Sequence, residues 1–180
     1  DFIRSFPNEK EWIEKQKAAY NDEKTADIWF SRAEGYIREY IIEAKAITQN
    51  ALDSAEKYGP DTYIPMLESD IEQYEYIESI PSGEFEKLFN AVKNIEYMAL
   101  SRKKTDSDNK ERVKLLREKA KKLIGKAVEK FIFLSIDEMK DGIKKSGYGI
   151  CALLDLVNEF SDMFDAEKKE RRIADYGDLE

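Results

Sequence analysis

The chain has 180 residues, 42% of them hydrophobic and 38% charged, with no histidine and one cysteine. These proportions allow a real core and exclude general disorder. The missing histidine excludes Ser-His-Asp and Cys-His catalysis and the usual transition-metal ligand sets. A net charge of −8, from 30 basic and 38 acidic residues, makes the molecule as a whole a poor generic polyanion binder.

Eight glycines and four prolines are too few for an all-β fold rich in tight turns, and no segment shows sustained period-2 alternation. A first helix is predicted from near Asn8, where Pro7, Asn8 and Glu11 form a weak capping box, through Trp12 and Ile13 to about Tyr20. The strongest predicted element follows over 25–58. Its apolar residues Trp29, Ala33, Tyr36, Tyr40, Ala44, Ile47, Ala51, Ala55 and Tyr58 recur with an eleven-residue period, so a nearly straight helix is expected. Ile28, Ile37 and Ile41 widen the stripe. Gly59-Pro60 stops it.

A third helix is predicted to begin near Pro65 and to end before Pro81. A fourth is expected to carry Phe85, Leu88, Phe89, Val92, Ile95 and Ala99. The fifth begins around Asp108 and holds Val113, Leu116, Ala120, Leu123, Ile124, Ala127 and Phe131. A short sixth helix is expected over 138–145, then a turn at Ser146-Gly147-Tyr148-Gly149, then a last helix through Leu153, Leu154, Val157 and Phe160. The fold expected is therefore all-α, a multi-helix bundle of six to seven helices around one long central helix. It reads as a single helical domain over 1–165 with a charged tail over 166–180 that frays.

Charge is unevenly spread. Residues 102–130 hold 12 Lys and Arg against 5 Asp and Glu, whereas 61–86 hold 8 acidic residues and no basic one. On a helical wheel, Lys110, Lys114, Arg117 and Lys121 flank one side of the fifth helix's apolar stripe. Arg112, Lys119, Lys126 and Lys130 flank the other, with Glu111, Glu118 and Glu129 in the middle of the polar face. Flanking lysines lay their stems over a core edge and can meet an acidic neighbour. That arrangement favours pairing with 61–86 inside the fold over a phosphate-facing surface.

Other motifs fall short. Glu68, Glu72 and Glu75 share a helical face but lack the histidines of bundle di-iron sites. The acidic loops at Asp106 and Asp137 do not match a calcium loop. Gly147-Tyr148-Gly149 with Ala152 resembles a dinucleotide fingerprint without its βαβ setting. No G-x-x-x-x-G-K-[ST] phosphate loop occurs. Cys151 has no histidine to activate it and reads as a small hydrophobe. A lone cysteine fits a reducing compartment and points to a cytoplasmic protein. No apolar run approaches a membrane span, so a membrane partner is not expected.

The function this reading favours is a non-catalytic helical scaffold or protein–protein interaction module. It would act through self-association or a protein partner, with Trp29, Tyr74 and Tyr76 as a candidate aromatic interface. The second reading is a nucleic-acid-associated helical protein using 102–130. Its candidate contacts to a polyanion or an acidic partner are Arg102, Lys103, Lys104, Lys110, Lys114, Arg117 and Lys121. A carboxylate-only enzyme or metal site is third. No enzymatic activity, cofactor, metal or catalytic residue is assigned, and no tight nucleic-acid binding at physiological salt is expected.

Overall fold

The computed structural model describes residues 8–21, 24–101 and 108–174. Among them 84% are helical, in six α-helices, with no strand. These are α1 (Glu9–Asn21), α2 (Thr25–Tyr58), α3 (Ile64–Ser79), α4 (Phe85–Lys93), α5 (Lys110–Phe131) and α6 (Ile136–Arg171), with a 3₁₀ turn at Asp61–Tyr63 before α3. The all-α expectation and the bounds of the long second helix hold. The chain divides into two compact units, one of residues 27–136 and one of residues 1–26 with 137–180.

In the 27–136 unit, α2 buries Phe30, Glu34, Ile37, Ile41, Ala44, Thr48, Ala51 and Ala55. These steps alternate four and three, a seven-residue period rather than the eleven-residue one read from the apolar residues alone. Two polar residues belong to the buried line, and Trp29 and Tyr36 are left exposed. Glu34 can be buried because its carboxylate accepts two hydrogen bonds from Arg38 and one from the Gly83 N–H at 3.1 Å. The Arg38 guanidinium also donates to the Ile80 carbonyl at 2.7 Å. The α3–α4 loop is thereby fastened to α2. Gly83 has φ +92°, a conformation that favours glycine.

Ala51, Leu52, Ala55, Tyr63, Met66, Leu67, Ile71 and Val113 form the main apolar cluster. Phe30 and Phe85 stack at 4.7 Å between centroids. Helix α4 stops at Lys93, short of the predicted Ile95 and Ala99. The connector cannot be helical there, because its backbone is engaged elsewhere. Gln73 bonds both the N–H and the carbonyl of Glu96, and Arg117 bonds the Met98 carbonyl.

In the other unit, α1 and α6 pair antiparallel. Lys10 reaches Asp162 and Lys17 reaches Asp155, each at 2.7 Å, and Gly147 lies against Tyr20. Helix α6 is continuous where a turn at 146–149 was predicted. Two glycines each weaken a helix by roughly 1 kcal/mol. Gly147, however, permits the close approach, since a Cβ there would sit 3.3 Å from the Tyr20 carbonyl oxygen. The buried residues of α6 are Gly147, Leu154, Ser161 and Lys168, a seven-residue seam. Leu154 lies in it, while Leu153, its neighbour on the apolar pattern of the predicted last helix, is 60% exposed. The helix continues to Arg171, into the stretch read as a frayed tail. Among the described residues no helix is long and apolar enough to cross a membrane.

Candidate nucleic-acid interface

Helix α5 carries nine Lys and Arg against three Glu. Its buried line is Val113, Arg117, Ala120, Ile124 and Ala127. Arg117, read as a surface contact, is therefore a core residue, 2% exposed. Its Nε and Nη2 donate to the two carboxylate oxygens of Asp70 at 2.6 and 3.0 Å, in fork geometry. Nη2 also donates to the Met98 carbonyl at 2.9 Å, and Nη1 to the Met66 sulfur at 3.4 Å. Asp70 is fully buried. Burial works against the Arg117 charge, but the Asp70 carboxylate outweighs it and holds the guanidinium protonated, above its ordinary range.

The Tyr97 ring lies 5.9 Å from Arg117 and 5.0 Å from the Lys121 ammonium, and its hydroxyl is 3.1 Å from that of Tyr74. Burial raises the pKa of both phenols. Tyr74, a candidate interface aromatic, is thus fully buried within this node. Trp29 and Tyr76 are exposed. Tyr76 borders an opening of about 780 Å³ at α3 and α4 with Ile77, Asn90 and Asn94.

Asp70–Arg117 is the described ion pair that joins the acidic and basic segments. Two further acidic residues, Glu75 and Glu78, instead grip Lys45 of α2 at 3.3 and 2.6 Å, and the Glu78 hydrogen bond raises the lysine pKa. Lys114 and Lys121 pair with Glu111 and Glu118 one turn back, at 2.8 and 3.3 Å. The Glu111 hydrogen bond raises the pKa of Lys114 and is matched by a lowered Glu111. Lys110 lies at the start of α5, half-buried. Arg102, Lys103 and Lys104 lie outside the described residues.

The opposite flank differs. Arg112, Lys119, Lys122 and Lys126 are exposed, and among the described residues none has a carboxylate partner. Along the helix, 112, 119 and 126 stand about 10 Å apart. This line ends at an opening of about 870 Å³ bordered by Lys126, Lys130, Tyr36, Tyr40 and Phe131. Tyr36 stacks on Phe131 at 5.8 Å, and Lys130 lies over Tyr40 at 5.8 Å. A helical wheel makes the two flanks look alike, because the angle of Arg117 differs little from that of its solvated neighbours. One signal was available: Arg117 sits four residues after Val113 and three before Ala120, in register with the core. Asp70 sits likewise between Leu67 and Tyr74. Among the described residues, no three His, Cys, Asp or Glu side chains converge on a point able to hold a metal ion.

No family model matches the chain. Its sequence is similar to curated proteins named as subunits of an ATP-dependent helicase/nuclease. That of Lachnoclostridium phytofermentans is 28% identical over 190 residues, covering 99% of this chain and 14% of the relative. That of Listeria monocytogenes serotype 4b is 32% identical, covering 100% of this chain and 15% of the relative. That of Geobacillus kaustophilus is 27% identical, with 100% and 15% covered. The chain thus spans about 15% of the length of these relatives. The similarity overturns the preference for a non-catalytic scaffold or protein–protein interaction module, and with it the expectation that no enzyme is involved. A pattern of amphipathic helices cannot separate a free-standing scaffold from a helical portion of a large enzyme, because both bury the same kind of face.

Proposed function

We propose that this chain is a helical portion of a helicase/nuclease-type enzyme, and that the outer flank of α5 holds the nucleic acid backbone. The observation that carries the reading is the similarity over essentially the whole chain to relatives named as helicase/nuclease subunits. The exposed cations Arg112, Lys119, Lys122 and Lys126 support it, since phosphate contacts need cations that no neighbouring carboxylate already occupies. The global charge of −8 is no obstacle, because affinity follows the local stripe. A nucleic-acid-processing role sets the protein in the cytoplasm.

The test is fluorescence anisotropy with labelled single- and double-stranded DNA across a salt series. The parent should bind at low salt with an affinity that falls linearly in log–log form. Changing Lys119, Lys122 and Lys126 together to Glu should abolish binding, while Lys114→Glu, which removes an already paired lysine, should weaken it far less. Equal losses from both, or no binding by the parent, would sink the reading.

A further inference from the structure

The cation line of α5 runs into the aromatic opening between α2 and α5. We infer that this opening accepts an unstacked nucleobase of a single strand whose phosphates follow Lys126, Lys122 and Lys119. The inference rests on the reading of α5 just given and adds a second, independent feature.

Three observations converge. First, a flat aromatic surface is presented. The Tyr36 ring is stacked on Phe131 with 8° between planes, which fixes its orientation. Tyr36 as a residue is 56% exposed and borders the opening. Base stacking on such a surface is tolerant of sequence because every base has a π-face. Second, the opening of about 870 Å³ is large enough for a base and its sugar. Third, its border carries charges of both signs. Glu39, Glu43 and Glu129 border it together with Lys126 and Lys130. A phosphate inside would meet more carboxylates than ammonium groups. A cationic side chain could pair with those carboxylates, but Lys130 already lies over Tyr40 with its Nζ 3.2 Å from the hydroxyl. A neutral ring bearing N–H donors can stack on the aromatic surface and donate to the carboxylates. Carboxylates accept from exocyclic amino groups such as the cytosine N4. The pocket should therefore favour cytosine over thymine, which has no exocyclic amine.

The experiment titrates the full chain against short labelled oligo-dC, oligo-dT and a duplex across a salt series. Oligo-dC should bind more tightly than oligo-dT. Tyr36→Ala should weaken oligo-dC binding roughly tenfold, as loss of one stacked base does. It should leave duplex affinity and the salt slope unchanged, and Tyr36→Phe should restore binding. Glu39→Gln with Glu43→Gln should erase the preference for oligo-dC over oligo-dT. Since Tyr36 and both glutamates are exposed, these variants should melt as the parent does, and a thermal scan checks this. Oligo-dC binding unchanged in Tyr36→Ala, together with a loss in the Lys119, Lys122 and Lys126 variant, would overturn the pocket and leave the α5 reading standing. A parent that binds none of the three probes would overturn both.

Discussion

The two units of this chain are built from similar amphipathic helices and bury them differently. In the 27–136 unit, charged groups lie inside: Arg117 with Asp70, and Glu34 with Arg38, each also bonded to backbone that is not helical. In the α1–α6 unit, the seam is narrow, and Leu153, Leu156, Phe160 and Met163 of α6 stay exposed. Buried charge in the first case fixes where loops attach. The second case also buries Lys168 beside Asp165, and otherwise relies on close backbone approach and on surface ion pairs worth at most about 1 kcal/mol each. A buried pair is weak as a source of stability and strong as a constraint on arrangement.

The sharpest way to break this contrast is Asp70→Ala, which leaves Arg117 buried without its partner. We expect a loss of about 3–5 kcal/mol in urea unfolding. The double variant Asp70→Leu with Arg117→Met should recover most of it, since replacing a buried pair by apolar groups of similar size is often neutral. A double variant as unstable as the single would show that the bond from Arg117 to Met98 matters more than the charge. In the other unit, Gly147→Val should cost about 1–3 kcal/mol through overpacking against Tyr20. Gly149→Ala meets open space and should stabilise α6 by about 1 kcal/mol.

Alkaline titration distinguishes the units more gently. Burial raises the pKa of Tyr74 and Tyr97 above the unfolded value of about 10. A raised folded pKa gives stability that is present below the unfolded pKa and is lost as pH climbs toward the folded one. Stability should therefore decline above about pH 10, and Tyr97→Phe should flatten that decline. An unchanged slope in Tyr97→Phe would place the alkaline loss elsewhere. The smallest effect is expected from Leu153→Ser and Leu156→Ser. Each should shift unfolding by within about 0.5 kcal/mol, as surface substitutions do. A loss several times larger would mean that this face of α6 is covered in solution.

Helix type and the bounds of α2 were legible because hydrophobic periodicity over 34 residues is a strong signal. The phase of that helix was not. Counting only apolar residues placed Trp29 and Tyr36 inward, whereas Glu34 and Thr48 occupy the buried line. Thr48 manages this by donating to the Ala44 carbonyl at 2.9 Å, a bond with no sequence signature. Helix α6 was split because glycines at 147 and 149 read as a turn, and only packing shows that Gly147 meets a neighbour. At the candidate site, the basic character of α5 was plain in composition. Which of its cations are free to act depends on where Asp70, Glu111 and Glu118 reach, and a wheel does not give that.

Asn109 is the N-terminal cap residue of α5, with its carbonyl accepting from the Val113 N–H, but its side chain makes no capping hydrogen bond. Its Nδ2 donates instead to the carbonyls of Ser54 at 2.8 Å and Gly59 at 2.9 Å. One carboxamide therefore closes a loop of 50 residues, and helices α3 and α4 with their connector form an excursion whose two feet are pinned together. Loop closure entropy grows only slowly with length, by about 0.6 kcal/mol per doubling. The entropic cost of closing the excursion is thus nearly independent of its length, but α3 and α4 carry core residues such as Leu67, Ile71 and Phe89, so packing fixes the lengths of the helices themselves. Replacing Asn109 would remove three hydrogen bonds between the two feet at once, the one from the Ser54 hydroxyl included.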